Sequence, residues 1–345
     1  MLEQVIEDVF EYPKLAALLR DDSKSRRSKC LKNLEEIASD FSKTYINSFS
    51  KFLDSTLPKL YDDINFLTGE LDLKKMCEKD CVVLVPNHQS HADYLAINYM
   101  VYKKYGFPVY VAGGINLNIF PIGKLFRKSG CFFIRRSFHS DVNYKLTLEA
   151  YLYHLLKRNK LVEFFFEGGR SRSGKLLPPR YGLYQMLIEA HSYLKEIEPQ
   201  KKLYFVPVSI VHEYVPEQKS LAQEMGGAKK VKESAAQIFG LVKLFAYQFG
   251  SVHISLGSPV EYEKKEGEDI KTQTQHLAFR CFREVGYNMR VTPTSLLALV
   301  LLDEPQGALI WKDILSKAKM VKEFCQKFKI PMTENLQNES FEKSL

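Results

Sequence analysis

Between residues 80 and 260, short apolar runs alternate with longer stretches whose apolar residues recur at three- and four-residue intervals. The runs CVVLVP (81–86), FPVYVAG (107–113), CFFIRR (131–136), LVEFFFEGG (161–169), LYFVPVSIVHE (203–213) and SVHISLG (251–257) have the length and the β-branched and aromatic content of buried strands. Most segments between them are long enough for a crossover helix. This alternation predicts an α/β fold: a central mixed, largely parallel sheet flanked by helices, with functional loops at the carboxyl ends of the strands. Residues 1 to about 70 read as helical, because LKNLEEIASDFSKTYINSFSKFL keeps a helical apolar spacing. After residue 260 the pattern is helical again, and VTPTSLLALVLL (291–302) opens with Thr292 as a cap and Pro293 in the first turn. The chain thus divides into an N-terminal helical region (1–70), an α/β domain (71–262) and a C-terminal helical extension (263–345).

Composition is ordinary for a globular protein, but the net charge of +8 favours acidic partners: nucleic acid, an anionic membrane surface or phosphorylated small molecules. Nucleic-acid binding calls for basic residues interleaved with aromatics on exposed strands. Here the basic residues gather at strand ends, which argues against it. A further basic cluster, Lys24, Arg26, Arg27, Lys29 and Lys32, sits in the N-terminal region, and reads as a solvated face or a membrane contact. Only Cys77 and Cys81 of the six cysteines lie close together, so the cysteines read as reduced thiols of an intracellular protein. MLEQVIEDVFEYPKL has early acids and no apolar centre, unlike a signal peptide. No apolar stretch reaches the roughly 18 residues of a membrane span.

The stretch VPNHQSHADYL (85–95) holds the first dense chemistry. His88, His91 and Asp93 give H-x-x-H-x-D, which falls short of the H-x-H-x-D-H of binuclear zinc hydrolases, so a metal site is the weaker reading. Ser90 and Asp93 also form a capping box at the start of a helix running from near His91 to Tyr105. On one ideal helix His88 and Asp93 would point about 140° apart. They meet only if His88 lies on the loop before the helix and Asp93 in its first turn. A carboxylate on one ring nitrogen then makes the other a general base.

FFEGGRSRSGKLLPPRYG (165–182) is the second signal. Gly169 to Lys175 imitate a P-loop, but Leu176 replaces the magnesium-binding Ser or Thr, and Pro178 and Pro179 forbid the required helix. What remains is a glycine-bearing loop carrying Arg170, Arg172, Lys175 and Arg180, whose forks suit a phosphate dianion. Glu167 within it orients an arginine or is exposed. Arg135 and Arg136 end the strand at 131–136, and strand alternation predicts that one of the two faces the site. The phenylalanines at 132, 133 and 164–166 read as core rather than an acyl-chain pocket. There is no G-x-S-x-G nucleophile elbow, and Cys131 reads as packing.

Taken together, these stretches resemble the glycerol-3-phosphate acyltransferase family, in its bacterial membrane-associated branch, and the related dihydroxyacetone-phosphate acyltransferases. The motifs stand in order: His88 to Asp93, INLNIFPIGKLFRKSGCFFIRR (115–136), FEGGRSRSGKLLPPRYG (166–182) and VPVSIVHE (206–213). EMGGAKKVKES (224–234), FGSVHISLGSPV (249–260) and VTPTSLLALVLL (291–302) are similar to the same branch. One departure is Gln89, where the branch commonly carries arginine.

The resemblance implies acyl transfer from acyl-CoA or acyl-carrier protein to the sn-1 hydroxyl of glycerol 3-phosphate, with no cofactor, metal or acyl-enzyme. His88 would act as general base and Asp93 would orient it. Arg135, Arg136, Arg170 and Arg172, with Lys124 as a further candidate, would hold the phosphate. Gly168 and Gly169 would let the backbone approach the substrate, and Pro207 with its neighbours would shape the far wall. The chain would sit on the cytoplasmic face of an anionic membrane as a peripheral protein. Dihydroxyacetone phosphate as acceptor, a metal-dependent phosphoester hydrolase and a non-catalytic lipid-binding relative are the competing readings.

Overall fold

The computed structural model describes residues 2–20, 23–138, 140–226, 248–305 and 308–338. Among these residues, the strands are β1 (Asp63–Leu67), β2 (Cys81–Pro86), β3 (Val109–Gly114), β4 (Phe132–Ile134), β5 (Leu161–Glu163), β6 (Leu203–His212), β7 (Ser251–Leu256) and β8 (Val260–Glu261). They form one sheet in the order β1-β7-β6-β2-β5-β3-β4, with β8 on the free part of β6. Strands β6, β2, β5, β3 and β4 run parallel, and β7 and β8 are antiparallel to β6. The sheet is therefore mixed and largely parallel, flanked by helices, as the apolar pattern requires.

The predicted strands all form, and the differences lie at their ends. The run 161–169 is a strand only as far as Glu163, because β5 loses its neighbours there and the chain turns into the glycine-bearing loop. Two strands escape the pattern. β1 lies inside the segment that reads as helical, and β8 has two residues, too few for any period to show.

On one face of the sheet, helices α1 (Leu2–Glu11), α2 (Pro13–Leu18) and α3 (Ser23–Ile37) pack against α8 (Val142–Lys157), and α9 (Gly182–Ile197) lies beside it. Val9, Tyr12, Leu34 and Ile37 share one core cluster with Val83, Val162, Leu148 and Phe205. The N-terminal helices thus complete the same core as the sheet. On the other face, α4 (Lys43–Leu60) and α6 (Asp93–Tyr105) share a second cluster with Val82, Leu84 and Ile254. Helix α5 (Leu73–Lys79) leads into β2, and α7 (Ile122–Lys128) precedes β4.

After the sheet, the helix Ile270–Asn288 returns to the first core, and residues 291–338 build a small cluster of their own around Leu296, Val300, Ile314 and Leu336. Thr292 caps the helix Pro293–Leu302 in a capping box completed by Ser295. Of the motif stretch 224–234, residues 227–234 lie outside the described residues.

Helix α1 is fastened by a buried carboxylate. Asp8, 1% exposed, receives His154 Nδ1 at 2.8 Å, Lys157 Nζ at 2.7 Å and Arg158 Nε at 2.7 Å. Burial would raise the Asp8 carboxyl, but its hydrogen bonds from Arg158, Lys157 and His154 outweigh it and hold it at about 2. The folded value lies below the usual 3.8, so the stabilisation is present at neutral pH and is lost as pH falls through that window. Asp8→Asn is expected to lower stability by about 2 kcal/mol at pH 7 in urea titrations, and by much less at pH 2.5. An equal loss at both pH values would exclude the ionic origin.

Candidate active site

The site is assembled where β2 ends. Asn87 extends the β2–β6 ladder with its side chain, accepting from Ile210 N–H at 2.8 Å and donating to Ile210 C=O at 3.0 Å. His88 follows on the loop and Asp93 opens α6, the arrangement that lets the two side chains meet. Nδ1 of His88 lies 2.8 Å from Asp93 Oδ2. The rest of His88 is fixed as well. Its N–H donates to Glu167 Oε1 at 3.1 Å, its carbonyl accepts from Ser171 N–H at 2.8 Å, and its ring lies 4.1 Å from that of Phe165.

Asp93 is fully buried. Oδ2 also accepts from the amides of Gln89 at 2.7 Å and Ser90 at 2.9 Å, and Oδ1 lies 2.7 Å from His212 Nε2. Burial pushes this carboxyl up, but the hydrogen bonds and charges of His212 and His88 more than reverse that, leaving it well below the usual range. Asp93 is therefore an anion. His88 Nδ1 and His212 Nε2 donate to it, which leaves His88 Nε2 with the lone pair that a general base would need.

The capping geometry differs in detail from the expected box. Asp93 reaches back to the Ser90 amide, whereas Ser90 Oγ accepts from Ala92 N–H and donates to Glu217 at 2.7 Å. Glu217 also accepts from His91 N–H at 2.9 Å and lies 3.4 Å from Arg170 Nη1. His91 Nδ1 is 3.4 Å from Tyr94 Oη rather than beside His88. Among the described residues, no three His, Cys, Asp or Glu side chains converge as a metal site.

A cavity of about 620 Å³ opens in front of His88. Arg135, Arg136, Gly168, Gly169, Arg170 and Arg172 all line it. Both strand-end arginines face the cavity because they lie beyond the last residue of β4, where strand alternation no longer applies. Arg135 grips Glu36 of α3 with Nε at 2.7 Å and Nη2 at 2.8 Å, approaches Asp141 at 3.4 Å, and stacks 4.2 Å over Tyr144. Lys124 sits in α7 and Pro207 in the middle of β6, where its carbonyl accepts from Gly257 N–H; neither lines the cavity.

Gly168 has φ +70°, and an added Cβ would lie 3.0 Å from Arg180, so glycine is required there; Gly169 has open space around it. The cavity continues along an apolar wall of Ile46, Phe49, Leu53, Leu95, Val111 and Phe126. Phe132, Phe133 and Phe166 are core, whereas Phe164 and Phe165 also border the cavity.

Three acidic residues take parts that the sequence did not reveal. Glu167, which sequence left as an arginine partner or an exposed residue, is buried and clamps the His88 amide. Burial pushes its carboxyl up to about 7. Glu163 is fully buried with neither oxygen hydrogen-bonded, and burial together with the Asp93 charge raises it far above the ordinary range. Its neutral form is therefore favoured near Asp93. Glu217 acts from the segment after β6, with no motif to mark it.

Comparison with known proteins places this geometry. Residues 68–211 match the Acyltransferase family model, and residues 221–344 match the glycerol-3-phosphate acyltransferase C-terminal region. The chain belongs to the glycerol-3-phosphate acyltransferase family. The glycerol-3-phosphate acyltransferases of Shewanella frigidimarina and Shewanella oneidensis are each 37% identical to it over 301 residues, and that of Shewanella loihica is 33% identical. Each match covers 82% of this chain, which spans 37% of the relative's length. A solved 1-acyl-sn-glycerophosphate (LPA) acyltransferase from Thermotoga maritima aligns with a TM-score of 0.40 and 14% identity, covering 83% of this chain and 97% of that one. Within this family member, His88 and the four arginines share one cavity.

Glu167 makes stability pH-dependent. Its folded value of about 7 lies above the usual 4.5, so between those values the folded state holds a proton that the unfolded chain has lost. Stability therefore falls as pH rises through that window. Glu167→Gln keeps an acceptor for the His88 amide and is expected to flatten the fall in urea titrations from pH 4.5 to 7.5. Superimposable slopes would assign the effect elsewhere.

Proposed function

We propose that the chain catalyses acyl transfer from an acyl thioester, carried by coenzyme A or an acyl-carrier protein, to the sn-1 hydroxyl of glycerol 3-phosphate. The observation that carries this reading is one cavity with three kinds of wall: the His88 base, the group of Arg135, Arg136, Arg170 and Arg172, and the apolar surface of α4 and α6. A phosphate dianion suits the arginines, an acyl chain suits the apolar surface, and the reacting atoms meet at the base.

The chemistry follows from the hydrogen-bonding pattern. His88 Nδ1 donates to Asp93, so Nε2 takes the proton of the acceptor hydroxyl as its oxygen attacks the thioester carbonyl carbon. The resulting tetrahedral adduct collapses by breaking the carbon–sulfur bond. The departing thiolate recovers the proton from His88 Nε2, leaving an ester, a thiol and the original base. The chain's own residues hold and orient both substrates, and such positioning supplies a large part of a rate enhancement. Dihydroxyacetone phosphate is the rival acceptor, since its phosphate and hydroxyl fit the same walls.

The same reading includes attachment to an anionic membrane on its cytoplasmic face. No helix among the described residues is long and apolar enough to cross a bilayer. Phe120 is 82% exposed and Ile119 41%, two to three residues beyond the cavity-lining Leu117. Lys24, Arg27, Lys29 and Lys32 are exposed on α3. Basic side chains at an anionic surface contribute about 1 kcal/mol each.

Acyl transfer from palmitoyl-CoA and from palmitoyl-carrier protein, with each acceptor offered separately, tests the reaction. Turnover is expected with glycerol 3-phosphate, and His88→Ala should reduce kcat/KM by about 10²–10⁴-fold without changing the circular dichroism. An unaltered rate in His88→Ala would exclude the base mechanism. The protein is also expected to sediment with phosphatidylserine-containing vesicles at low salt, and Phe120→Ser to weaken this. Absence of sedimentation would remove the membrane assignment.

A further inference from the structure

His212 lies in the motif stretch VPVSIVHE (206–213) with no role of its own marked by the sequence, yet its side chain is 0% exposed and reaches Asp93. The two imidazoles divide the carboxylate between them. His88 takes Oδ2 at 2.8 Å and His212 takes Oδ1 at 2.7 Å. The amides of Gln89 and Ser90 both add to Oδ2, so among the described residues His212 is the partner that Oδ1 receives. A carboxylate only accepts, so His212 carries its hydrogen on Nε2. Its Nδ1 is buried without a hydrogen-bond partner, as is the hydroxyl of Tyr61, whose ring lies 5.9 Å from the imidazole.

We propose that His212 is a positioning residue for acyl transfer: by donating to Asp93 Oδ1 it fixes the plane of the carboxylate and draws charge away from Oδ2, so it sets both the aim and the basicity of His88. The inference rests on the acyl-transfer reading. Its physical content is that a carboxylate shared among several donors presents less charge to each. Removing the donor on Oδ1 leaves that oxygen buried and unpaired and returns charge to the side facing His88.

The other titratable and charged groups around the pair act from different elements. Glu163 stands near Asp93 with its carboxyl pushed up by burial, Glu167 holds the His88 amide, Glu217 holds Ser90, and Arg170 and Arg172 line the cavity. None of them bonds to Oδ1, so they stay constant when His212 alone is changed.

The test compares wild type, His212→Phe, which keeps a ring but no donor, and His212→Gln, which keeps a donor. The imidazole resonances of His88 are followed by NMR against pH, and kcat and KM are measured for acyl transfer from palmitoyl-CoA to glycerol 3-phosphate. In His212→Phe the His88 titration midpoint is expected to move upward by roughly half to one pH unit. The acid limb of kcat/KM should move with it, and kcat should fall about tenfold with KM little changed. His212→Gln is expected to restore both. An unmoved midpoint in His212→Phe, or a folded His212→Gln as impaired as His212→Phe, overturns the inference. If His212→Phe fails to fold, His212→Asn, whose shorter amide falls short of Oδ1, takes its place with the same expected and overturning results. A shifted midpoint in a protein that transfers no acyl group would leave the coupling standing and remove the acyl-transfer reading instead.

Discussion

A single buried carboxylate organises this molecule's chemistry. Asp93 has no contact with solvent, and an ion in that position persists only if donors surround it. The donors come from two pieces of chain: the loop that carries the His88 imidazole and the amides of Gln89 and Ser90, and His212 at the end of β6. Satisfying Asp93 therefore fixes the start of α6, the path of the loop and the distance between β2 and β6 at once. The His88 imidazole is aimed as a by-product of meeting that requirement. The upward push on the Glu163 carboxyl fits the same constraint, since a second unshared anion near Asp93 would compete for donors that are already taken.

The cation side of the site is held by a comparable exchange. Four arginines around one cavity repel one another unless anions or a ligand intervene. Acids from outside the sheet supply part of that compensation, with Glu36 of α3 on Arg135 and Glu217 on Arg170. Helix α3 thus belongs to the cavity's electrostatics as well as to the core. It is anchored at its carboxyl end by Arg127, which donates to the carbonyls of Glu36 and Ala38. The N-terminal helices and the α/β sheet are consequently one structural unit, joined through Asp8, the core around Tyr12 and Leu34, and the Glu36–Arg135 pair.

Charge and apolar surface are kept on separate parts of the cavity. The arginines lie on loops after β4 and β5, where the backbone is free to turn, whereas the apolar wall is built mainly from helices together with Val111 of β3, and its Phe49, Leu53 and Val111 continue the second core cluster. Under the proposed acyl-transfer reading, a phosphate at one end and a long acyl donor approaching from the other would meet both without placing either in the wrong medium. Glu167, buried where it clamps the His88 amide, ties the arginine loop to the base.

Much of this was legible in the order of residues. Contiguous apolar runs and three-to-four-residue spacing specified the alternating strands and helices, because a strand buried on both faces is apolar throughout whereas a helix repeats its buried face at its own period. The five-residue offset of His88 and Asp93 required a loop-to-helix junction, and one is present. Arg135, Arg136, Arg170 and Arg172 were marked by their density at strand ends. The remainder depended on contacts between distant segments, which no local period encodes. His212 lies 119 positions from Asp93, Glu36 lies 99 from Arg135, and Glu217 lies 127 from Ser90. Lys124 and Pro207 show the converse, standing within motif stretches but away from the cavity, since membership of a motif does not fix where a side chain points. The sequence by itself determined which segments form the sheet and which carry the base and the arginines. Only the tertiary structure decided which acids pair with them, because such pairs form wherever folding brings two buried charges within hydrogen-bonding distance.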